Sequence, residues 1–256
     1  MRRVLGDFGR KRVFFSSFPL LEAFGVTFVF GLAAWLLGTV SLSGLAGGVL
    51  VGGFIYYLAG WRAFAVLGFF FVIGSALTKL GYRRKKALGA AQEKEGRRGA
   101  RHALANCAVG LALAAVYKLS GAHPLAGTAF VASFATAAAD TAGTEAGSLY
   151  GKTHLLPTNL KRVPPGTDGA VSIEGTLASL LAACVVSSFG SLVGLVPSGG
   201  LWLAAFLGGF LGAGAESVLG SLPRVEKTLG NEGMNLLNTF LGVLFCLIIA
   251  GLTGWS

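Results

Sequence analysis

Asp140, Thr144 and Glu145 close an Ala-rich apolar segment in the run A-D-T-A-G-T-E-A-G. Carboxylates at the edge of a bilayer are costly unless paired, hydrated or bound to a cation. Spacings of four and five bring these side chains near one helix face. Carboxylate and hydroxyl oxygens together suit Mg²⁺ or Mn²⁺, with substrate phosphates completing the shell. The alternative is a helix end with solvated acids. Glu216 and Ser217 repeat the theme in G-A-E-S-V-L-G, after a Gly-rich apolar run. Acid, hydroxyl and small residue recur in the same order, as in an internal pseudo-repeat that sets two acids across a cavity; chance similarity between small-residue helices explains it equally well. On the first reading Asp140, Glu145 and Glu216 are the candidate metal ligands and catalytic acids.

Between the two acidic motifs runs Lys161-Arg162-Val-Pro-Pro-Gly166-Thr167-Asp168-Gly169. Two prolines stiffen its entry, and Gly166 and Gly169 permit positive φ and close backbone approach. Ser172 then opens a helix whose N-terminal N–H groups face the loop, an arrangement that binds anions. The spacing is not that of a Walker loop. Lys161, Arg162, Gly166, Thr167, Gly169 and Ser172 are therefore candidate phosphate ligands, against the plainer reading of a basic loop with ordinary turn residues. Lys79 ends an aromatic-rich segment, where it either snorkels or neutralises phosphate. Asn106, Asn231 and Asn235 lie at or inside segment ends, as packing amides or as substrate contacts. Thr144 and Ser217 complete the candidate set. His102, His123 and His154 have no ligand spacing and no assigned role.

These residues must be positioned by membrane helices. The 256-residue chain is 54% hydrophobic and 12% charged, with 40 glycines and a mean hydropathy of +0.70. A bilayer span takes about 20 apolar residues, and eight candidate segments stand at about 20–38, 43–60, 62–80, 103–120, 124–143, 171–196, 200–220 and 234–254. The fold expected is an all-α polytopic membrane protein, one domain over 1–256, with seven or eight spans and room for re-entrant or broken helices. A basic segment covers 1–18, a basic loop 82–101, and a Gly/Pro-rich loop 144–170. The loop 82–101 sets eight basic residues against two acidic ones, a net of +6. By the positive-inside rule it faces the cytoplasm, and counting spans brings the loops 144–170 and 221–233 to the same side. Eight full crossings then leave the basic N-terminus outside, so an early re-entrant segment is the alternative, with Glu22 and S-L-S-G at 41–44 the suspect places. The formal charge of +10 follows from these loops, and no aromatic-basic module points to nucleic acid. Cys107, Cys184 and Cys246 lie in apolar segments without pairing or metal spacing and read as small apolar residues.

The ordered motifs resemble an integral-membrane family known as domain of unknown function 92, which includes phytyl-phosphate kinase. The matching pieces are S-L-S-G-L-A-G at 41–47, F-F-x-x-G-S-A-L-T-K-L-G at 70–81, A-N at 105–106, A-D-T-A-G-T-E-A-G at 139–147, V-P-P-G-T-D-G-A-V-S at 163–172, E-S-V-L-G at 216–220 and N-E-G-M-N at 231–235. The chain departs from the family pattern where Ala142 and Gly143 replace a Trp-Ala pair and where Glu216 and Glu232 replace aspartates; the acids stay acids. The resemblance implies a kinase that moves a phosphoryl group from CTP or another nucleoside triphosphate to a polyprenyl or phytyl monophosphate. The charge count sets the site facing the cytoplasm, the expected location is the cytoplasmic membrane of a prokaryote, and an oligomer is allowed. The alternatives are a transporter of a lipid or small anion, because broken helices and weak repeats are also transporter features, and a CTP-dependent lipid-phosphate cytidylyltransferase.

Overall fold

A computed structural model describes residues 19–91 and 96–254. The basic segment 1–18 and the part of the basic loop holding Glu93, Lys94 and Glu95 lie outside the described residues. The described chain forms α1 (Pro19–Leu36), α2 (Leu42–Lys79), α3 (Tyr82–Ala87), α4 (Ala100–Leu119), α5 (Pro124–Tyr150), α6 (Ile173–Leu192), α7 (Gly199–Gly220) and α8 (Pro223–Thr253). Three isolated bridges are the only β pairing among the described residues. Helix starts follow local chemistry. Ser41, Ser172 and Ser198 cap α2, α6 and α7 by accepting a backbone N–H three residues on, and Pro124 and Pro223 stand in the first turns of α5 and α8, where a missing N–H costs nothing.

Among the described residues, six helices are long and apolar enough to cross a membrane: α1, α2, α4, α6, α7 and the Lys227–Leu252 part of α8. The chain is thus an all-helical polytopic membrane protein, as expected. The segments anticipated at 43–60 and 62–80 are the two arms of α2, separated by a break at Gly60, where φ is 80°. The two arms fold back on each other: Gly52 packs against Phe64 and Leu67 of the second arm, and Gly44 and Gly74 both meet Arg98. Only glycine takes that φ without strain.

Three boundaries differ from expectation. The segment at 124–143 continues to Tyr150, so Thr144 and Glu145 sit in helix rather than loop. The loop at 82–101 holds the short α3. The loop at 221–233 is mostly the start of α8, broken at Gly230 with φ 60°. Polar composition suggested loops, but polar residues are compatible with helix where they line a cavity.

α5 is the axis of the bundle. Twenty of its 27 residues are buried, and it packs against α2, α4, α6, α7 and α8. Phe130 and Phe134 stack tilted at 5.0 Å in a core shared with Phe70 and Val66 of α2 and Val186 of α6. Small residues bring the helices close. A Cβ at Gly212 of α7 would lie 2.6 Å from Gly242 Cα of α8, a spacing typical of glycine-mediated membrane helix contacts. Cys107, Cys184 and Cys246 are unpaired, and the first and last are buried in the core.

The bundle has a polar end and a far end. The turn at Gly60 and the turns before α5 and α7 gather at the far end, where Gly194 meets Arg62 and Gly127 meets the Leu195 carbonyl. The 37–41, 77–91, 96–99, 145–172 and 217–231 stretches gather at the other. α1 runs antiparallel to the first arm of α2, with Tyr56 donating to Glu22 Oε1 at 2.8 Å and Gly31 against Leu45. α1 therefore begins at the far end and runs the length of the bundle beside the first arm of α2. Ser41 of S-L-S-G is a helix cap, not a break in a span.

Candidate functional site

A polar cavity of about 140 Å³ opens at the polar end. α5 contributes Asp140, Thr141, Thr144 and Ser148 to it. Offsets of one, four and eight residues keep these on one side of a helix. α7 contributes Glu216 and Ser217, and α8 contributes Asn231 and Asn235. The break at Gly230 starts a fresh helix at Asn231, so Asn231, Asn235 and Asn238 fall at positions i, i+4 and i+7 along one stripe.

The Asp140 and Glu216 carboxyls face each other within hydrogen-bond reach. Two carboxyls this close cannot both stay anionic unless a proton or a cation lies between them. Asn238 stands beside Asp140, yet both its amide atoms are buried without a partner of hydrogen-bond geometry. Asp168, from the loop, faces Glu216. No three His, Cys, Asp or Glu side chains among the described residues are close enough to hold a metal ion by themselves. The donor set, two facing carboxyls with the Thr144 and Ser217 hydroxyls lining the same cavity, fits Mg²⁺, which takes few protein carboxylates and completes its shell with water and phosphate.

Glu145 belongs elsewhere. An offset of five residues turns a side chain about 140° around a helix from Asp140, so the expectation of one shared face holds for Thr144 and fails for Glu145. Its Oε2 is paired with Lys85 Nζ, and its Oε1 is buried without a partner. Lys85 is fully buried and also donates to the Leu77 carbonyl at 3.0 Å and the Thr78 carbonyl at 2.9 Å. This ion pair clamps α3 between the end of α2 and α5.

The Gly/Pro-rich loop forms the cavity's outer wall with Gly166, Thr167, Asp168, Gly169 and Ala170. Leu155 bridges both Arg162 and Val171, which folds the loop back to α6, and Ser172 caps that helix by accepting from Gly175 N at 3.1 Å. Gly169 has φ 69°, and a Cβ there would run into the backbone of Ser217, Gly220 and Ser221. Gly166, at φ 83°, packs on Ala90. His154 adds to the lining and bonds the Gly147 carbonyl at 3.0 Å. Lys161 and Arg162 point outward and are exposed. Lys79 is exposed as well, its Nζ donating to the Leu37 carbonyl at 2.8 Å. None of these three cations lines the cavity.

Asn106 lies outside it too. Its Nδ2 donates to the His102 carbonyl at 3.0 Å, and its side chain lines a second, apolar cavity between α1, α2 and α4. His102 lines both cavities. Arg98, four residues earlier, is 6% exposed, with Nε and Nη2 unpartnered and its guanidinium 5.6 Å from the Phe70 ring centre. Burial pulls the Arg98 pKa below its ordinary value, with Cys107, Glu145 and Asp140 acting in the opposite direction.

Sequence reading assigned no site role to Asp168, Asn238, Thr141, Ser148, His102, His154, Lys85 or Arg98. Asp168 stands inside the quoted V-P-P-G-T-D-G motif, and Asn238 shares the stripe of Asn231 and Asn235, so both were within reach. Nothing in the sequence singles out Lys85 or Arg98 among the eight basic residues of 82–101.

A bundle of this kind, with one polar cavity let into one end beside a buried central helix, defines a polytopic integral membrane protein. The chain belongs to the integral membrane protein DUF92 family, whose pattern matches residues 25–243. It is 38% identical over 213 residues to an uncharacterized membrane protein of Synechocystis, covering 82% of this chain and 76% of that one. It is 36% identical over 231 residues to the chloroplastic protein VTE6 of Arabidopsis thaliana, covering 86% and 68%. An uncharacterized membrane protein of Methanocaldococcus jannaschii is 32% identical over 206 residues, covering 80% and 84%. No solved structure matches the chain.

Proposed function

We propose that the protein is a membrane kinase that transfers the terminal phosphoryl group of CTP, or another nucleoside triphosphate, to a polyprenyl or phytyl monophosphate. The observation that carries this reading is the pair of facing carboxyls, Asp140 and Glu216, in a polar cavity walled by a Gly-Thr-Asp-Gly loop. The resemblance of the chain's ordered motifs to the family of phytyl-phosphate kinase supplies the substrate class.

An oxygen of the acceptor monophosphate attacks the γ-phosphorus, the bond from that phosphorus to the β–γ bridging oxygen breaks, and the nucleoside diphosphate leaves. The acceptor oxygen is already ionised, so no strong base is required. Catalysis then rests on positioning and charge stabilisation. Asp140 and Glu216 would hold the divalent cation, with Thr144 and Ser217 beside them. A divalent cation held by these residues would supply charge neutralisation to the phosphates. The loop from Gly166 to Ala170 and the first turn of α6 present backbone N–H groups to phosphate. Asn231, Asn235 and Asn238 orient substrate from α8. The polar end faces the cytoplasm of a prokaryote in this reading, where nucleotide is available.

A transporter would need a polar route to both ends, whereas the polar cavity with the carboxyl pair lies at one end. The test is turnover by purified protein with Mg²⁺, CTP and geranylgeranyl or phytyl monophosphate. Formation of the prenyl diphosphate with CDP is expected. Pyrophosphate release would identify a cytidylyltransferase. No product with any nucleotide, from protein that melts cooperatively, would reject the kinase.

A further inference from the structure

The cavity between α1, both arms of α2 and α4 has a volume of about 80 Å³ and is lined almost wholly by apolar groups. Gly44, Gly48 and Val51 form one wall, and Phe64, Leu67 and Phe71 another. Seven residues separate Gly44 from Val51, so this wall runs about 10 Å along the helix axis at 1.5 Å per residue. It descends from the polar end into the depth of the bundle. At its upper end stand Arg98 and His102, and His102 is also part of the polar cavity. The two cavities are therefore neighbours, with His102 between them.

Arg98 is the group that needs explaining. A buried guanidinium without hydrogen-bond partners is costly, and its planar fork matches the oxygens of a phosphate or carboxylate bidentately. Lys85, the other buried cation nearby, has carbonyl and carboxylate partners for its ammonium group. Arg98 keeps Nε and Nη2 free at the end of an apolar cavity that shares His102 with the cavity containing two acids. An anion with a long apolar tail matches that combination, because one end satisfies the guanidinium and the other fills the channel.

We infer that the α1–α2–α4 cavity holds the phosphate-proximal part of the hydrocarbon chain of the prenyl monophosphate and that Arg98 binds its phosphate at the mouth, presenting the acceptor to the Asp140–Glu216 site. This rests on the kinase reading for the identity of the lipid, but binding can be measured without turnover. A second opening offers the rival route. It leads from Asp140 between α6 and α7, past Gly175, Ser179 and Phe210 to Gly214.

The two routes are separable by adding bulk where there is space for it. A Cβ at Gly48 or at Gly214 meets no atom within 4 Å, so Gly48→Phe blocks the first route and Gly214→Phe the second without a backbone clash. The probes are geranylgeranyl monophosphate and the short dimethylallyl monophosphate, titrated into purified protein without nucleotide. Gly48→Phe should weaken the long ligand tenfold or more and leave the short one within twofold, while Gly214→Phe changes neither. Arg98→Lys, which keeps charge and loses the fork, should weaken both ligands about equally. Each variant is checked by its melting temperature; should Arg98→Lys not fold, the glycine pair still decides. Unchanged long-chain binding in Gly48→Phe, loss in Gly214→Phe instead, or no binding by the unaltered protein would each overturn the inference. Binding as described with no diphosphate formed under any nucleotide would instead reject the kinase reading and leave the lipid site standing.

Discussion

Asp140 and Glu145 are five residues apart and have different neighbours and different consequences. Asp140 faces Glu216 across the polar cavity, so Asp140→Asn and Glu216→Gln remove charge where phosphates would bind. Each should lower kcat about 100-fold or more, the scale of losing one preorganised electrostatic group, with little change in melting temperature. Steady-state kinetics alongside thermal melts check this. Glu145 holds buried Lys85. Glu145→Ala leaves that ammonium without its counter-charge, and removal of one partner of a buried pair costs about 3–5 kcal/mol. The expected result is a marked fall in unfolding stability, partly restored by the double change Lys85→Met with Glu145→Leu. A Glu145→Ala protein of normal stability and abolished activity would instead return Glu145 to the metal site.

The Gly/Pro-rich loop works as an element because its glycines fit against other backbones. Gly169 combines a positive φ with direct approach to the end of α7. A residue with a Cβ must strain both the dihedral and the packing, so Gly169→Ala should cost activity at least tenfold and raise loop mobility, read as faster amide exchange over 164–172. The cations of the same loop behave differently. Lys161 and Arg162 are exposed and outside the cavity, so replacing both with alanine should change kcat/KM less than threefold at moderate ionic strength. α5 is the element against which the site is built. It carries Asp140 and Thr144, and its neighbours on five sides fix their rotation.

Across the whole molecule, the helices alternate between a polar end and a far end, with the breaks at Gly60 and Gly230 setting the count. Both α1 and α8 have their outer termini at the far end. Single cysteines at Thr158, in the Gly/Pro-rich loop, and at Ser198, in the turn before α7, should react with a membrane-impermeant maleimide from opposite sides of sealed vesicles, in a background with the native cysteines replaced by serine or alanine. A cysteine at Leu20 should label from the same side as Ser198. Labelling of Leu20 with Thr158 would mean that α1 does not cross as the bundle places it.

Much of this was legible in the residues themselves. Long apolar runs with few charges require helices that satisfy their own backbone in lipid, and the acids, amides and Gly-Thr-Asp-Gly loop stood out because polar groups beside such runs are expensive. The order of those motifs carried the family. Rotation and burial were decided by the fold. Whether Glu145 shares a face with Asp140 depends on helix continuing to Tyr150, and the inward turn of Lys85 and Arg98 from the basic stretch depends on where α2 and α4 leave room for them. The meeting of α5, α7 and α8 around Asp140 and Glu216 joins residues 76 positions apart in the chain. Local sequence specifies the elements and the chemistry each carries; only packing of those elements against one another determines which side chains share a cavity.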